Sequence, residues 1–174
     1  MPNKQECEFL VLRKIPYQSS AEIITGISPE LGQMGFFIRK SSAKSKNPFA
    51  YFDLFRILRI NYRKGRGELY YCQECDLLED FSEIATNKDN FQAACWIAQF
   101  ALANILPLQE LPQFFQAMRV ALRRLADSSQ GPTAVLTGVT ITYLIENGWL
   151  NTVSLNNQEL AQCQLLFNMA QGKE

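Results

Sequence analysis

At 174 residues, 47% of them hydrophobic and 20% charged, the chain is long enough to bury one good core or two small ones and too apolar for compositional disorder. Seventeen basic and seventeen acidic side chains cancel to a formal net charge of zero, and there is no histidine, which removes the commonest general base, the commonest metal ligand and every nucleophile triad built on imidazole. Five scattered cysteines (Cys7, Cys72, Cys75, Cys95, Cys163) behind a polar opening, MPNKQECE, that does not read as a secretory leader fit a reducing cytosol, and the most apolar window, Ala93 to Leu108, is too short and interrupted to span a bilayer.

From Cys7 to Tyr71 the pattern is that of short strands. Phe9, Val11, Ile15 and Tyr17 recur at even spacing, with Arg13 the exception, and predict a half-buried first strand ending at Pro16. Ala21 to Ile27 predicts a second strand, closed by the turn-forming Ser28 to Gly32. Met34 to Lys40 predicts a third, with Met34, Phe36 and Ile38 on one face, followed by a loop over Ser41 to Pro48. The fourth strand, about Phe52 to Tyr62, changes phase: Phe55 and Ile57 share one parity, while Leu58, Ile60 and Tyr62 share the other. A β-bulge near Ile57 accounts for this and turns both Arg56 and Arg59 outward. Lys64 to Gly67 reads as a hairpin turn and Gly67 to Cys75 as a fifth strand. Five strands joined mostly by short turns predict a small closed barrel, with the five-stranded OB-fold as first candidate; a sandwich or SH3-like barrel has a similar pattern.

After Asp76 the period changes. The DLLEDFSEI stretch fits one or two helical turns, and helices follow over Phe91 to Leu106 (capped by Asn90), from Pro112 to Ala126, from Pro132 to about Asn147 with Gly148 as its left-handed cap, and from Asn156 or Asn157 to about Ala170. The expected architecture is therefore an N-terminal OB-fold barrel over residues 1–82 followed by an all-α helical domain over residues 83–174.

The neutral total conceals a segregation. Between Arg39 and Arg66 lie nine cations (Arg39, Lys40, Lys44, Lys46, Arg56, Arg59, Arg63, Lys64, Arg66) against one acid, Asp53, a local charge of +8. Residues 67 to 90 then carry seven acids against Lys88. If the two blocks occupy different faces, the molecule is dipolar and offers one face to a polyanion. Phosphate neutralisation by these cations is the expected chemistry, with the interleaved aromatics Phe49, Tyr51, Phe52, Phe55 and Tyr62 assigned mostly to the core.

Cys72 and Cys75 form the one metal-like or redox-like spacing. No second pair or histidine accompanies them, and on a regular strand residues three apart project to opposite faces, so no metal site and no cofactor is expected. The acids from Glu74 to Glu83 read as a solvated face rather than a catalytic pair, and the glycines of GRG lack phosphate-loop spacing. No catalytic constellation is present. Arg119 and Arg123, four apart on the second long helix, are the candidates for binding an acidic peptide tail.

The IPY end of the first strand (Ile15 to Tyr17), S-P-E-L-G (Ser28 to Gly32), the basic segment after the third strand, Y-R-K-G-R-G-E-L-Y (Tyr62 to Tyr70) and D-L-L-E-D-F (Asp76 to Phe81) together resemble the RecO recombination-mediator family. L-P-Q-F-F (Leu111 to Phe115) and Y-L-I-E-N-G-W (Tyr143 to Trp149) fall where that family has matching helices. The resemblance implies an OB-fold that binds single- and double-stranded DNA, anneals complementary strands and helps load recombinase. It also implies contact with the partner RecR and with the C-terminal tail of single-strand-binding protein, in the bacterial cytoplasm at the nucleoid. Many members carry a four-cysteine zinc module after the segment matching Gly148 and Trp149. Here only Cys163 stands in that region, so zinc is not carried over. The competing expectation from a different class is a barrel-plus-helices adaptor that binds an acidic protein partner and no nucleic acid.

Overall fold

The computed structural model describes residues 5–17, 19–39, 50–65 and 67–150. Five strands, β1 (Gln5–Tyr17), β2 (Ala21–Ser28), β3 (Gly32–Arg39), β4 (Arg56–Lys64) and β5 (Leu69–Asp80), close into a barrel in the order β1-β2-β3-β5-β4. All neighbours are antiparallel except β3 and β5, which run parallel over Gly35 to Phe37 opposite Leu69 to Tyr71. This is the OB-like barrel expected from strand number and spacing, and α1 (Lys88–Asn104), α2 (Pro112–Ala126) and α3 (Pro132–Glu146) follow it.

The interior is filled by alternate residues of each strand: Cys7, Phe9 and Val11 of β1, Ile24 of β2, Met34, Phe36 and Ile38 of β3, and Leu58, Ile60 and Tyr62 of β4, with Phe52 from the turn before β4. Phe36 sits at the centre, its ring edge-on to Phe9 at 4.8 Å and to Tyr62 at 6.1 Å. Such edge-to-face pairs add to the burial energy of the rings themselves.

The alternation expected for β1 does not run its full length. Val11 pairs with Gly26 but Arg13 with Thr25, so Leu12 is an extra residue, a bulge. Because the side-chain period of a strand is two, one inserted residue reverses the parity beyond it. Phe9 and Val11 point inward, whereas Ile15 and Tyr17 are each 44% exposed on the outer face together with Arg13. Arg13, the exception to the apolar alternation, is thereby accounted for. The close crossing of β1 over β2 also requires a glycine: a Cβ on Gly26 would lie 1.9 Å from the Leu10 carbonyl oxygen and 2.7 Å from Phe9 Cζ.

Three further expectations are corrected. β4 starts at Arg56, and Phe52 to Phe55 form a turn in which Phe55 adopts φ of 62° and donates its N–H to the Val11 carbonyl. The phase change at Ile57 is an irregularity in the β4–β5 ladder, as expected, but the extra residue, Leu78, lies on β5: Ile57 opposes Glu79 while Leu58 opposes Leu77. Asp76 to Asp80, read as helical, are the end of β5, because they complete the pairing with β4; the short helical piece is a 3-10 turn at Ser82–Thr86.

The chain divides into two compact units. One runs to Glu83 and takes in Ala98–Pro112; the other comprises Ile84–Ile97 and the described residues from Gln113 onward. In the first unit, residues 106–111 are stitched to the β2–β3 turn by Gln33 N–H to Leu106 O, Leu108 N–H to Leu31 O and Leu111 N–H to Pro29 O, and Gly32 takes the positive φ of 62° that this turn requires. In the second unit α1 is capped by Asn87, whose Oδ1 accepts from the N–H groups of Asp89 and Asn90, rather than by Asn90. Asn90 is instead buried, donating from Nδ2 to the Leu125 carbonyl and to Ser128 Oγ. α2 begins at Pro112 and buries Phe114, Phe115, Met118, Ala121, Leu122 and Leu125 on one face. α3 ends at Asn147 with Gly148 in the left-handed conformation, as expected. The predicted helix from Asn156 or Asn157 to Ala170 lies outside the described residues.

The first turn of α2 is held by α3: the Glu146 carboxylate accepts from Gln113 N–H at 2.9 Å and Phe114 N–H at 2.6 Å, satisfying two end-of-helix donors with a charge of the favourable sign. Glu146→Ala is expected to lower unfolding stability by about 1 kcal/mol in urea titration followed by circular dichroism. Gly26→Ala, which drives a methyl into the Leu10 carbonyl, is expected to cost roughly 2–3 kcal/mol in the same measurement.

Candidate nucleic-acid interface

β4 carries Arg56, Arg59, Arg63 and Lys64, and its two neighbours decide what each can do. Arg56 does not project outward. Its Nε and Nη2 reach Asp80 Oδ2 at 3.0 and 2.9 Å, and its Nη1 donates to the Ala50 carbonyl at 2.9 Å, which ties it to the base of the barrel. Burial pushes the Asp80 carboxyl upward, but Arg56 and the Ser82 backbone N–H outweigh that and hold it below its ordinary value. Arg59 is exposed, yet its ladder partners are Glu8 on β1 and Asp76 on β5, and its Nε lies 3.9 Å from Glu6. The acidic block is therefore hydrogen-bonded alongside the basic one, not placed on another face: Asp80 opposes Arg56, Asp76 opposes Arg59 and Glu74 opposes Asn61.

Toward the other end of the same ladder the acids stop. Arg63 opposes Tyr71 and Lys64 opposes Tyr70, and Arg39, the last described residue of β3, is exposed. Among the described residues these three cations enter no ion pair. Lys40, Lys44, Lys46 and Arg66 lie outside the described residues.

The outer face also carries an aromatic row that hydrophobic alternation does not predict. Reading across the outer face by pairing register, Ile15 opposes Ile23, Ile23 opposes Phe37, Phe37 opposes Tyr71 and Tyr71 opposes Arg63, a row that crosses all five strands without an acid. Tyr17 joins it diagonally. Its strand partner on β2 is Ala21, small enough for the tyrosine ring to lean across to Phe37 at 5.8 Å, and Phe37 meets Tyr71 at 5.9 Å. The Arg63 guanidinium stands over the Tyr71 ring at 5.4 Å. The doublets Phe36-Phe37 and Tyr70-Tyr71 are the sequence signal for this row, since successive residues of a strand face opposite ways and one ring of each pair must point out.

The Cys72–Cys75 pair also departs from simple alternation. Asn61 opposes Glu74 and Tyr62 opposes Cys72, so Gln73 is a bulge and both sulfurs fall on the inward side, packed at the margin of the barrel core. The hydrogen bond between the two thiols raises the pKa of Cys72 and lowers that of Cys75. Burial pushes Cys7 up to about 12. Among the described residues no three or more acidic, cysteine or histidine side chains are grouped to hold a metal ion.

In the helical unit Arg119 and Arg123 share one side of α2. Arg119 is half-buried, donates to Gln116 Oε1 at 3.4 Å and stands over the Phe115 ring at 5.8 Å, while Arg123 is exposed. Neither lines the groove between α2 and α3, a space of about 370 Å³ bordered by Ala117, Val120, Ala121, Val135, Gly138 and Val139; the arginine at that groove is Arg124.

Among the described residues no helix is long and apolar enough to cross a membrane. No curated protein matches the chain at a significant level. Residues 1–81 match the family model described as Recombination protein O N terminal, which ties the chain to DNA recombination and repair. That stretch covers the barrel through the last residue of β5, and it is through this OB-like N-terminal domain that the chain resembles the RecO family.

Proposed function

We propose that the chain is a non-enzymatic DNA-binding protein of recombinational repair that anneals complementary strands and assists recombinase loading on single strands, acting in the bacterial cytoplasm at the nucleoid. The observation that carries this reading is the end of the β4–β5 ladder beyond Asn61, where Arg63 on the outer face, Lys64 at the strand end and Arg39 of β3 enter no ion pair among the described residues, within a domain that matches a recombination protein. Lys40, Lys44, Lys46 and Arg66, which lie outside the described residues, belong to the same reading by their place in the sequence. Cations of this kind bind phosphates by releasing counterions and do not read sequence. Arg56 and Arg59 contribute little to such a surface, because a phosphate approaching them also meets Asp80, Glu6, Glu8 and Asp76.

The protein partners follow the same resemblance: the acidic, apolar tail of single-strand-binding protein, and RecR. For the tail, the α2–α3 groove supports Arg124 over Arg119 and Arg123, because only Arg124 borders an apolar trough able to take the peptide's side chains. Arg124→Ala is expected to weaken binding of a synthetic acidic peptide ending in apolar residues about tenfold by calorimetry, with Arg123→Ala near wild type. Equal effects of the two substitutions would remove the groove assignment.

The principal test is fluorescence polarisation with labelled single- and double-stranded oligonucleotides over a salt series. The triple reversal Arg39→Glu, Arg63→Glu and Lys64→Glu is expected to cut affinity at least about tenfold and to reduce the log–log salt slope on single strands by roughly 2, at about 0.7 for each phosphate that is no longer neutralised. Arg59→Glu is expected to change affinity by less than about twofold, since acids already surround that position. An absence of DNA binding even at low salt would favour the adaptor that binds an acidic protein partner.

A further inference from the structure

The outer aromatic row has no structural task that the rest of the barrel leaves undone. The core is already filled by Phe9, Phe36, Phe52 and Tyr62, yet Tyr17 and Tyr71 are held on the outer face at 44% and 38% exposure, with Phe37 half-buried between them. Rings presented to water in this way lose the burial that normally justifies an aromatic side chain. Their setting selects what can cover them. The row ends in Arg63, Arg39 stands two residues beyond Phe37 on the same face of β3, and the outward acids of β5 begin only at Glu74, beyond the Gln73 bulge. A ligand lying along the row therefore meets aromatic surface, in which successive rings stand edge to face, flanked by positive charge.

The backbone supplies room as well. β3 and β5 pair only from Gly35 to Phe37 opposite Leu69 to Tyr71, and where they part a cleft of about 390 Å³ opens, lined by Phe37, Ile38, Arg39, Tyr71 and Cys72. The guanidinium over Tyr71 shows that this ring presents a face to a planar cationic group at 5.4 Å, and an arginine so placed is itself a plane on which a base stacks. Aromatic faces with adjacent cations, on the outer surface of a small barrel, suit a strand whose bases are unstacked and whose phosphates are within reach of the arginines. A duplex keeps its base faces covered by their neighbours and cannot use the rings.

We propose that Tyr17, Phe37 and Tyr71 form a stacking platform for two or three unpaired bases of single-stranded nucleic acid, with Arg39 and Arg63 on the adjoining phosphates. The proposal rests on the DNA-binding reading above and adds to it the discrimination of single strands from duplex. Tyr17 and Tyr71 carry the readable part, because Phe37 is the central ring against which both pack.

The test compares a short thymidine oligonucleotide with an abasic oligonucleotide of the same length and charge, by polarisation on the full chain at moderate salt. The wild-type protein is expected to bind the thymidine strand at least about tenfold more tightly, since stacking contributes on the order of 1–3 kcal/mol per base. Tyr17→Leu and Tyr71→Leu, made singly and together, are expected to erase that difference while leaving affinity for the abasic strand within about twofold, and Tyr71→Phe to retain it. Equal binding of the two strands by the wild-type protein would overturn the platform and leave phosphate binding standing. Retention of the difference by the double leucine variant would likewise overturn it. Binding of neither strand would overturn the DNA-binding reading and the platform together. The wild-type comparison requires no substitution, so the outcome does not depend on any variant folding.

Discussion

β1 has two partners at once, and the barrel closes only because it does. Gln5 to Leu10 pair with β4 and Leu10 to Tyr17 pair with β2, so Leu10 is where the strand changes from one neighbour to the other. A strand serving two neighbours at different heights must bend sharply, and the Leu12 bulge beside Gly26 supplies the bend. The same bulge settles which side chains face the core. Before it, Phe9 and Val11 go in; after it, Ile15 and Tyr17 go out. The apolar outer row of the barrel thus follows from the way the barrel is closed.

Strand pairing governs the electrostatics in a similar way. β4 carries the cations and β5 the acids, and because they are adjacent antiparallel strands the two charge blocks lie rung against rung instead of on opposite faces. Opposite charges facing across a ladder contribute modestly to pairing, and the arginines involved are then screened from outside anions by their own neighbours. Among the described residues, the ladder beyond Asn61 carries no acid, and there Arg63 and Lys64 oppose tyrosines.

Bulges recur on β5 and have the same kind of consequence there. Leu78 and Gln73 are both extra residues, and Gln73 brings Cys72 and Cys75 to the inner side together, where a regular strand would have separated them. The two thiols sit at the core margin, where Cys72 Sγ donates to the Glu74 carbonyl at 3.4 Å, and belong to the packing of the barrel. In each case a one-residue insertion changes side-chain direction for everything beyond it, and no composition or propensity marks it.

Much of the architecture is written locally. Alternation of Met34, Phe36 and Ile38, the turn at Ser28 to Gly32, the glycine hairpin before β5, proline at the start of α2 and α3 and Gly148 after α3 are each decided by neighbours in the chain, and local pattern suffices for the five strands, their core residues on β3 and β4 and three of the helices. Asn87 displacing Asn90 as the cap of α1 shows the limit of such local reading, since Asn90 is diverted to partners thirty-five and more residues away. The surface was decided only by the tertiary structure. Which cations are free depends on the charges of adjacent strands, and which aromatics are exposed depends on bulges that arise from closing the barrel. Arg56 and Arg59 are equal to Arg63 in sequence, but the first is clamped by Asp80, the second faces acids on both sides and the third lies over a tyrosine ring. Those differences come from hydrogen-bonded neighbours distant in the chain, whose identity no local pattern contains.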